Sequence, residues 1–339
     1  MKKLTLSVPS LLVAVSMLLT ACGSTTPEPA PVSTEAPVVD GSAATEAPVD
    51  TLEGNIAISG AFALYPMMTR WAEEFQKIHP NVTFDISGGG AGKGMTDAIL
   101  NAVDIGMVSR SIKPEEEAQG AYGIAVVKDA VFPVVNANNP VIADIMTKGI
   151  TQETFIKIFI TGEITTWGQV VGNAGITDEI HVYTRSDACG AAEMWAKFTG
   201  NKLQEDLLGV GVNADPGLLE AVLKDPLGIG YNNLGYAYDM TTGLPVSGIL
   251  TAPIDLNANG TADPDEVADT MTRAMELIAT GKYPSPPARP LNVVTNGKPS
   301  GLVQAFILWI LTDGQQFVGE AGYVQLAPEQ LAESLTKAK

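Results

Sequence analysis

From Gly54 onward, short β-rich runs alternate with amphipathic helical stretches, and this alternation limits the open folds more than any other feature of the chain. Residues 55–59 read as a strand. Residues 66–78 follow as a helix, because Trp71, Ala72, Phe75 and Ile78 recur at helical spacing and Pro66 suits the first turn. Further strands are expected at 82–87, 105–108, 124–127, 131–136, 180–184, 228–232 and 291–295. Helices are expected at 95–102, 152–160, 191–198, 216–223, 265–280 and 300–311. Strands that keep alternating with helices bury a sheet beneath them, so the fold class is α/β. The 339 residues leave room for about two domains.

Composition removes several functions. Lys plus Arg is 20 against 38 Asp plus Glu, a formal charge of −18, and no basic run is present to neutralise a phosphate backbone, so nucleic acid is not an expected partner. Two cysteines and two histidines rule out disulfide scaffolds and zinc sites built on Cys or His clusters. No nucleophile–base pair or cofactor fingerprint is found either, and an enzyme is not expected.

The first residues read as an address. Met1-Lys2-Lys3 precedes an apolar stretch over 4–19, which has the form of a secretory signal, and Leu19-Thr20-Ala21-Cys22 resembles the bacterial lipoprotein box in which the cysteine is acylated. Residues 1–21 are therefore expected to be removed and Cys22 to carry lipid. Residues 22–53 hold Pro27, Pro29, Pro31, Pro37 and Pro48 among Ser, Thr, Ala and acids, too few apolar groups to build a core. That segment is expected to be a disordered tether holding an extracytoplasmic body near the membrane.

Three strand-to-helix junctions suit an anion. One runs Ser59-Gly60-Ala61-Phe62-Ala63-Leu64-Tyr65-Pro66, the second Ser87-Gly88-Gly89-Gly90-Ala91-Gly92-Lys93-Gly94, and the third Thr184-Arg185-Ser186-Asp187-Ala188-Cys189-Gly190-Ala191. Glycine lets the main chain approach a ligand, and helix starts present unpaired N–H groups that favour negative charge. The glycine run is not a Walker loop, since Lys93 is followed by Gly94. Arg110 and Arg185 add positive charge; the alternative for both is an ion pair within the protein. Asp187 could cap the following helix, and Cys189 could be no more than a small residue at a helix start.

These residues carry a family resemblance. Gly60 to Phe75, Gly88 to Arg110 with Val103-Asp104-Ile105-Gly106, Thr184 to Gly190, Gly228-Ile229-Gly230-Tyr231, and Arg289 to Thr312 together resemble the phosphate-binding proteins of bacterial ABC importers, in order from Gly54 to Leu326. The resemblance implies a two-lobed type II periplasmic-binding-protein fold with a hinge of crossover strands, lobe one being 54–131 plus 284–339 and lobe two 132–283. It implies a monomer that captures phosphate or a related oxyanion and docks on an ABC permease in the membrane. The family's anion contacts would fall on Ala61, Phe62 and Ala63, on Ala91, on Ser109 and neighbouring Arg110, on Arg185 and Asp187, and on Cys189, Gly190 and Ala191; Gly60 and Gly92 flank them in the glycine loops. Family members usually offer hydroxyls in the first loop and at the positions of Ala91, Cys189 and Ala191, and this chain lacks them there. A surface sensor or calcium-dependent adhesion protein on the same fold is the alternative function.

A separate motif lies in the second lobe. Over 255–266, Asp255, Asn257, Asn259, Gly260, Asp263 and Glu266 match an EF-hand loop at positions 1, 3, 5, 6, 9 and 12, with Thr261 offering its carbonyl. Calcium held as a structural clip is the expected cofactor. Val267, Met271, Ala274 and Ile278 predict a helix that leaves the loop directly.

Overall fold

The computed structural model describes residues 52–339; the leader, Cys22 and the tether up to residue 51 lie outside the described residues. Eleven strands are present among them: β1 Gly54–Gly60, β2 Val82–Gly88, β3 Ile105–Val108, β4 Ala121–Asn136, β5 Ile150–Thr151, β6 His181–Arg185, β7 Val210–Val212, β8 Gly228–Asn233, β9 Ile249–Thr251, β10 Ile254–Asp255 and β11 Ala288–Asn296. Nine form one sheet in the order β2-β1-β3-β11-β4-β8-β6-β7, with β9 also paired to β4, while β10 and β5 pair separately. The mixed α/β architecture expected from the alternation is present.

Two expected strands, 124–127 and 131–136, are one. β4 runs unbroken for 16 residues, and its partner changes along its length. Ala121–Ala130 pairs antiparallel with β11, whereas Val131–Asn136 pairs with β8 and β9. Apolar burial divides at the same place. One core gathers Ile56 to Val127 and Leu291 to Ala338; the other gathers Ala130 to Ala288, joined by Val324. The molecule thus has two lobes, and β4 and β11 carry the chain between them.

Helices depart from expectation where packing overrides propensity. The helix expected from Met95 starts five residues earlier and spans Gly90–Ile99, so Gly90, Gly92 and Gly94 lie inside it despite a cost of about 1 kcal/mol each against alanine. Close approach explains Gly94: a Cβ there would sit 2.8 Å from the Gly60 Cα, because the helix rests directly on β1 and β3. The helix expected over 152–160 is α-helical only at Gln152–Ile156 and continues as a π-turn at Lys157–Thr161. The helix expected from Asp265 begins only at Met271, where Thr270 accepts the Arg273 amide as N-cap, and ends at Ala279. Residues 267–270 are irregular, so no helix leaves the acidic loop directly. Among the described residues no helix is long and apolar enough to cross a membrane.

Candidate functional site

The three junctions each leave backbone donors open. After β1, the Ala61 N–H donates to the Met107 carbonyl at 2.9 Å, which pins this loop to β3, but the Phe62 and Ala63 amides have no acceptor among the described residues. In the second junction the Gly92 N–H donates to the Ala188 carbonyl at 3.2 Å, and the Gly90 and Ala91 amides have no acceptor among the described residues. The third junction leads from β6 into the helix Gly190–Phe198. There the Cys189 N–H donates to Gln204 Oε1 at 3.1 Å and the thiol accepts the Ala192 amide at 3.5 Å, so Cys189 rather than Asp187 is the N-cap. The Gly190 and Ala191 amides are left open.

These ends meet across the boundary between the lobes. A Cβ on Gly90 would lie 2.6 Å from the Ala188 carbonyl and 3.2 Å from Asp187 Oδ2. A Cβ on Gly190 would collide with the carbonyl and hydroxyl of buried Ser109. The Phe62 ring stands 5.9 Å from the Arg185 guanidinium carbon, within cation–π range, and the Tyr236 hydroxyl donates to the Phe62 carbonyl at 3.3 Å. Lobe one contributes Phe62, Gly90, Gly92 and Ser109. Lobe two contributes Arg185, Ala188, Gly190 and Tyr236.

Both arginines are ion-paired within the protein. Arg185, 5% exposed, donates from Nε and Nη2 to Asp187 at 2.8 and 2.6 Å and from Nη1 to Asp215 at 2.8 Å. Three of the five guanidinium N–H groups are thereby used and 5 − 3 = 2 have no acceptor among the described residues. Burial opposes the Arg185 charge, yet Asp215 and then Asp187 raise its pKa above the usual arginine value. Burial would lift the Asp187 carboxyl, but the guanidinium bonded to it holds it below the usual range. Burial pushes the Cys189 thiol up to about 12 despite Arg185, so the side chain is a neutral thiol near pH 7. Arg110 is turned elsewhere: it grips Glu116 bidentately at 2.8 and 2.6 Å and reaches Glu193 of the other lobe at 3.2 Å. It borders a cleft of about 290 Å³ that also touches Gly92 of the second junction and Ala188 and Cys189 of the third, with Lys113 and Lys202 at its edge.

The residues that position the site were harder to see from sequence. Asp215, Asn233, Arg289 and Asp129 are buried at 5% exposure or less and stand behind Arg185 and Ser109. Asp215 follows Ala214, whose φ of 63° belongs to no motif that could be read in advance. Asp129 and Arg289 did leave a trace, as charges inside otherwise apolar strands.

The loop 255–266 is closed by its own donors. Asp255 accepts the Asn259 and Gly260 amides at 3.2 and 2.9 Å, and Glu266 accepts those of Leu256 and Asp263 at 2.7 and 3.0 Å. The side-chain amides of Asn257 and Asn259 both donate to Asp263, at 2.8 and 3.0 Å, and Asn259 Oδ1 accepts the Thr261 amide at 2.7 Å. The all-oxygen donor set fits a hard cation. In this arrangement, however, no three His, Cys, Asp or Glu side chains among the described residues cluster closely enough to hold a metal.

Comparison with known proteins adds a family and a fold. A sequence model described as a PBP superfamily domain matches residues 38–314. The chain is 25% identical over 276 residues to the phosphate-binding protein PstS of Bacillus subtilis, covering 80% of each chain. It is 24% identical over 313 residues to that of Pseudomonas aeruginosa, covering 84% of this chain and 87% of the relative. Among solved structures, a Clostridium perfringens protein with bound phosphate superimposes with a TM-score of 0.64 at 23% identity, over 81% of this chain and all of that one. An ABC-type phosphate transport receptor from Vibrio cholerae gives 0.58 at 21% identity, over 80% of this chain and all of that one.

Proposed function

Because this chain belongs to the PBP superfamily, whose sequence model spans residues 38–314, we propose that it is a solute-binding protein that captures phosphate or a related oxyanion between its lobes and delivers it to an ABC permease. The observation carrying this reading is that the three junctions, with their open amides, lie beside Arg185 and Ser109 at one lobe boundary. An oxyanion stripped of water needs many donors at once, and each hydrogen bond to a charged group contributes about 1.5–3 kcal/mol. Main-chain amides at two helix starts supply here what hydroxyl side chains supply in the family the sequence resembles. The relatives of Bacillus subtilis and Pseudomonas aeruginosa, named as phosphate-binding proteins, support phosphate as the ligand.

The deciding experiment is thermal melting with phosphate, arsenate, sulfate and molybdate, followed by calorimetry. Phosphate at 100 times its dissociation constant is expected to add about 2.7 kcal/mol of stability. No shift with any of these anions at millimolar concentration would reject the site.

We also propose lipid attachment at Cys22 and one calcium ion in the 255–266 loop. Lipidation rests on the cysteine placed after Leu19-Thr20-Ala21, and Cys22→Ala is expected to lose partition into a detergent phase. Calcium rests on the oxygen donor set and on Gly260, which takes φ 78° at the loop's sharp turn. Chelator is expected to lower the melting temperature and calcium, in preference to magnesium, to restore it; protein that takes up no calcium at millimolar supply would exclude the ion.

A further inference from the structure

We propose that Arg289 is a positioning residue for the anion site, holding Ser109 directly and Arg185 through Asn233 and Asp215. The inference rests on the anion-binding reading above. Arg289 lies on β11 exactly opposite Asp129 of β4, in the stretch where the chain passes between lobes. The residue is 5% exposed, and its guanidinium points three ways. Nε donates to the Ser109 carbonyl at 3.1 Å, Nη1 pairs with Asp129 Oδ2 at 3.0 Å, and Nη2 donates to Asn233 Oδ1 at the end of β8. The chain of contacts continues: Asn233 Nδ2 donates to Asp215 Oδ1 at 2.5 Å, and Asp215 Oδ2 accepts Arg185 Nη1 at 2.8 Å. Asp129 also accepts the Leu234 amide at 3.2 Å, which fixes the same end of β8 from its other side.

One planar side chain therefore touches lobe one at Ser109, the crossing strand at Asp129 and lobe two at Asn233. A lysine carries the same charge but has no rigid fork and cannot hold these three acceptors in one plane. Placement matters here more than charge. Arg185 is already answered by two carboxylates, so what it offers an incoming anion is the direction of its two remaining N–H groups. That direction is set by Asp187 on one side and by Asp215 on the other, and Asp215 is held by Asn233, which Arg289 holds. Buried ion pairs lose their value when one partner is displaced, so a defect at Arg289 propagates along the chain rather than being absorbed by water.

The test uses Arg289→Lys, with Asn233→Ser as a second variant that breaks the same chain away from the Asp129 pair should the first not fold. Amide hydrogen exchange is measured without any anion, then phosphate binding by calorimetry on Arg289→Lys, Asp215→Asn and the double variant. Exchange of the Ala214 amide, which donates to Asp187, and of the Leu234 amide, which donates to Asp129, is expected to accelerate while the helix Tyr65–Ile78 keeps its protection. Phosphate affinity is expected to fall by roughly tenfold in each single variant, and by less than the product in the double, because both substitutions break one linkage. A purely structural Arg289 would loosen the whole molecule evenly and give losses that multiply. Unchanged exchange at Ala214, or strictly multiplicative losses, overturns the proposal. If the wild-type protein binds no phosphate, the functional reading fails, and the exchange measurement still decides the role of Arg289.

Discussion

Asp187 is where the acid–base behaviour of the site is most exposed to measurement. It accepts two hydrogen bonds from Arg185 and one from the Ala214 amide at 3.0 Å, and its carboxyl is held below the usual range against the effect of burial. A carboxyl depressed in the folded state stabilises it fully above the unfolded value, about 3.9 for Asp, and that contribution is lost as pH falls through the lower folded value. Glu116 behaves likewise through Arg110. Asp129 has the opposite sign, since burial raises it despite Arg289, and ionising it costs stability as pH rises. The clean comparison is thus a single substitution. Melting temperatures measured from about pH 6 down to about pH 2.5 are expected to fall less steeply in Asp187→Asn than in the wild type. Identical slopes would show that Asp187 titrates alike in the folded and unfolded chain.

Among the elements, the start of the helix Gly190–Phe198 is the piece that both lobes must share. Its first residue abuts Ser109 so closely that any Cβ would meet backbone of the opposite lobe. Gly190→Ala is therefore expected to leave each core intact but to keep the lobes apart. Phosphate binding should be lost with the melting temperature nearly unchanged, whereas Gly94→Ala, which overpacks the inside of lobe one, should cost about 1–3 kcal/mol of stability. Binding by Gly190→Ala equal to wild type would place the anion elsewhere. The three junctions were legible in the sequence because glycines and small residues between a β run and a helical run leave few alternatives. The helix Gly90–Ile99 was not legible at its start, since local propensity argues against glycine and only the neighbouring β1 and β3 explain it. The break read between 127 and 131 had a real cause. Lys128-Asp129 interrupts an apolar run, and the interruption marks the buried partner of Arg289 rather than the end of a strand. An ion pair for Arg185 was legible as an alternative, with Asp187 two residues away, but Asp215 was not, because it lies 30 residues away.

At the scale of the whole molecule, a chain of formal charge −18 repels the anion it is proposed to capture. The cleft beside the site runs the other way: Arg110, Lys113, Lys197 and Lys202 line it with Glu193 and Glu205, and with Glu116 answering Arg110 the balance is 4 − 3 = +1. Such a local field raises the encounter rate of an anion, and salt screens it over a Debye length of about 8 Å at physiological ionic strength. Lys113→Gln with Lys202→Gln is expected to slow phosphate association by roughly tenfold at low salt, with little change in dissociation and a smaller difference at high salt. An association rate that does not respond would remove the cleft from the approach path. The continuity of β4 has a further result, in the time domain. Its Ala121–Ala130 half pairs with β11, which begins at Ala288, and at Lys128 also with Val324, and β3 takes its second neighbour from β11. A growing chain that ends between Asp255, the last residue of β10, and Ala288 holds every strand of the second lobe and lacks a closing strand for the first. Synthesis from the N-terminus thus delivers the later-encoded lobe as a complete unit, while the lobe begun first waits, with open strand edges, for almost the last segment to emerge.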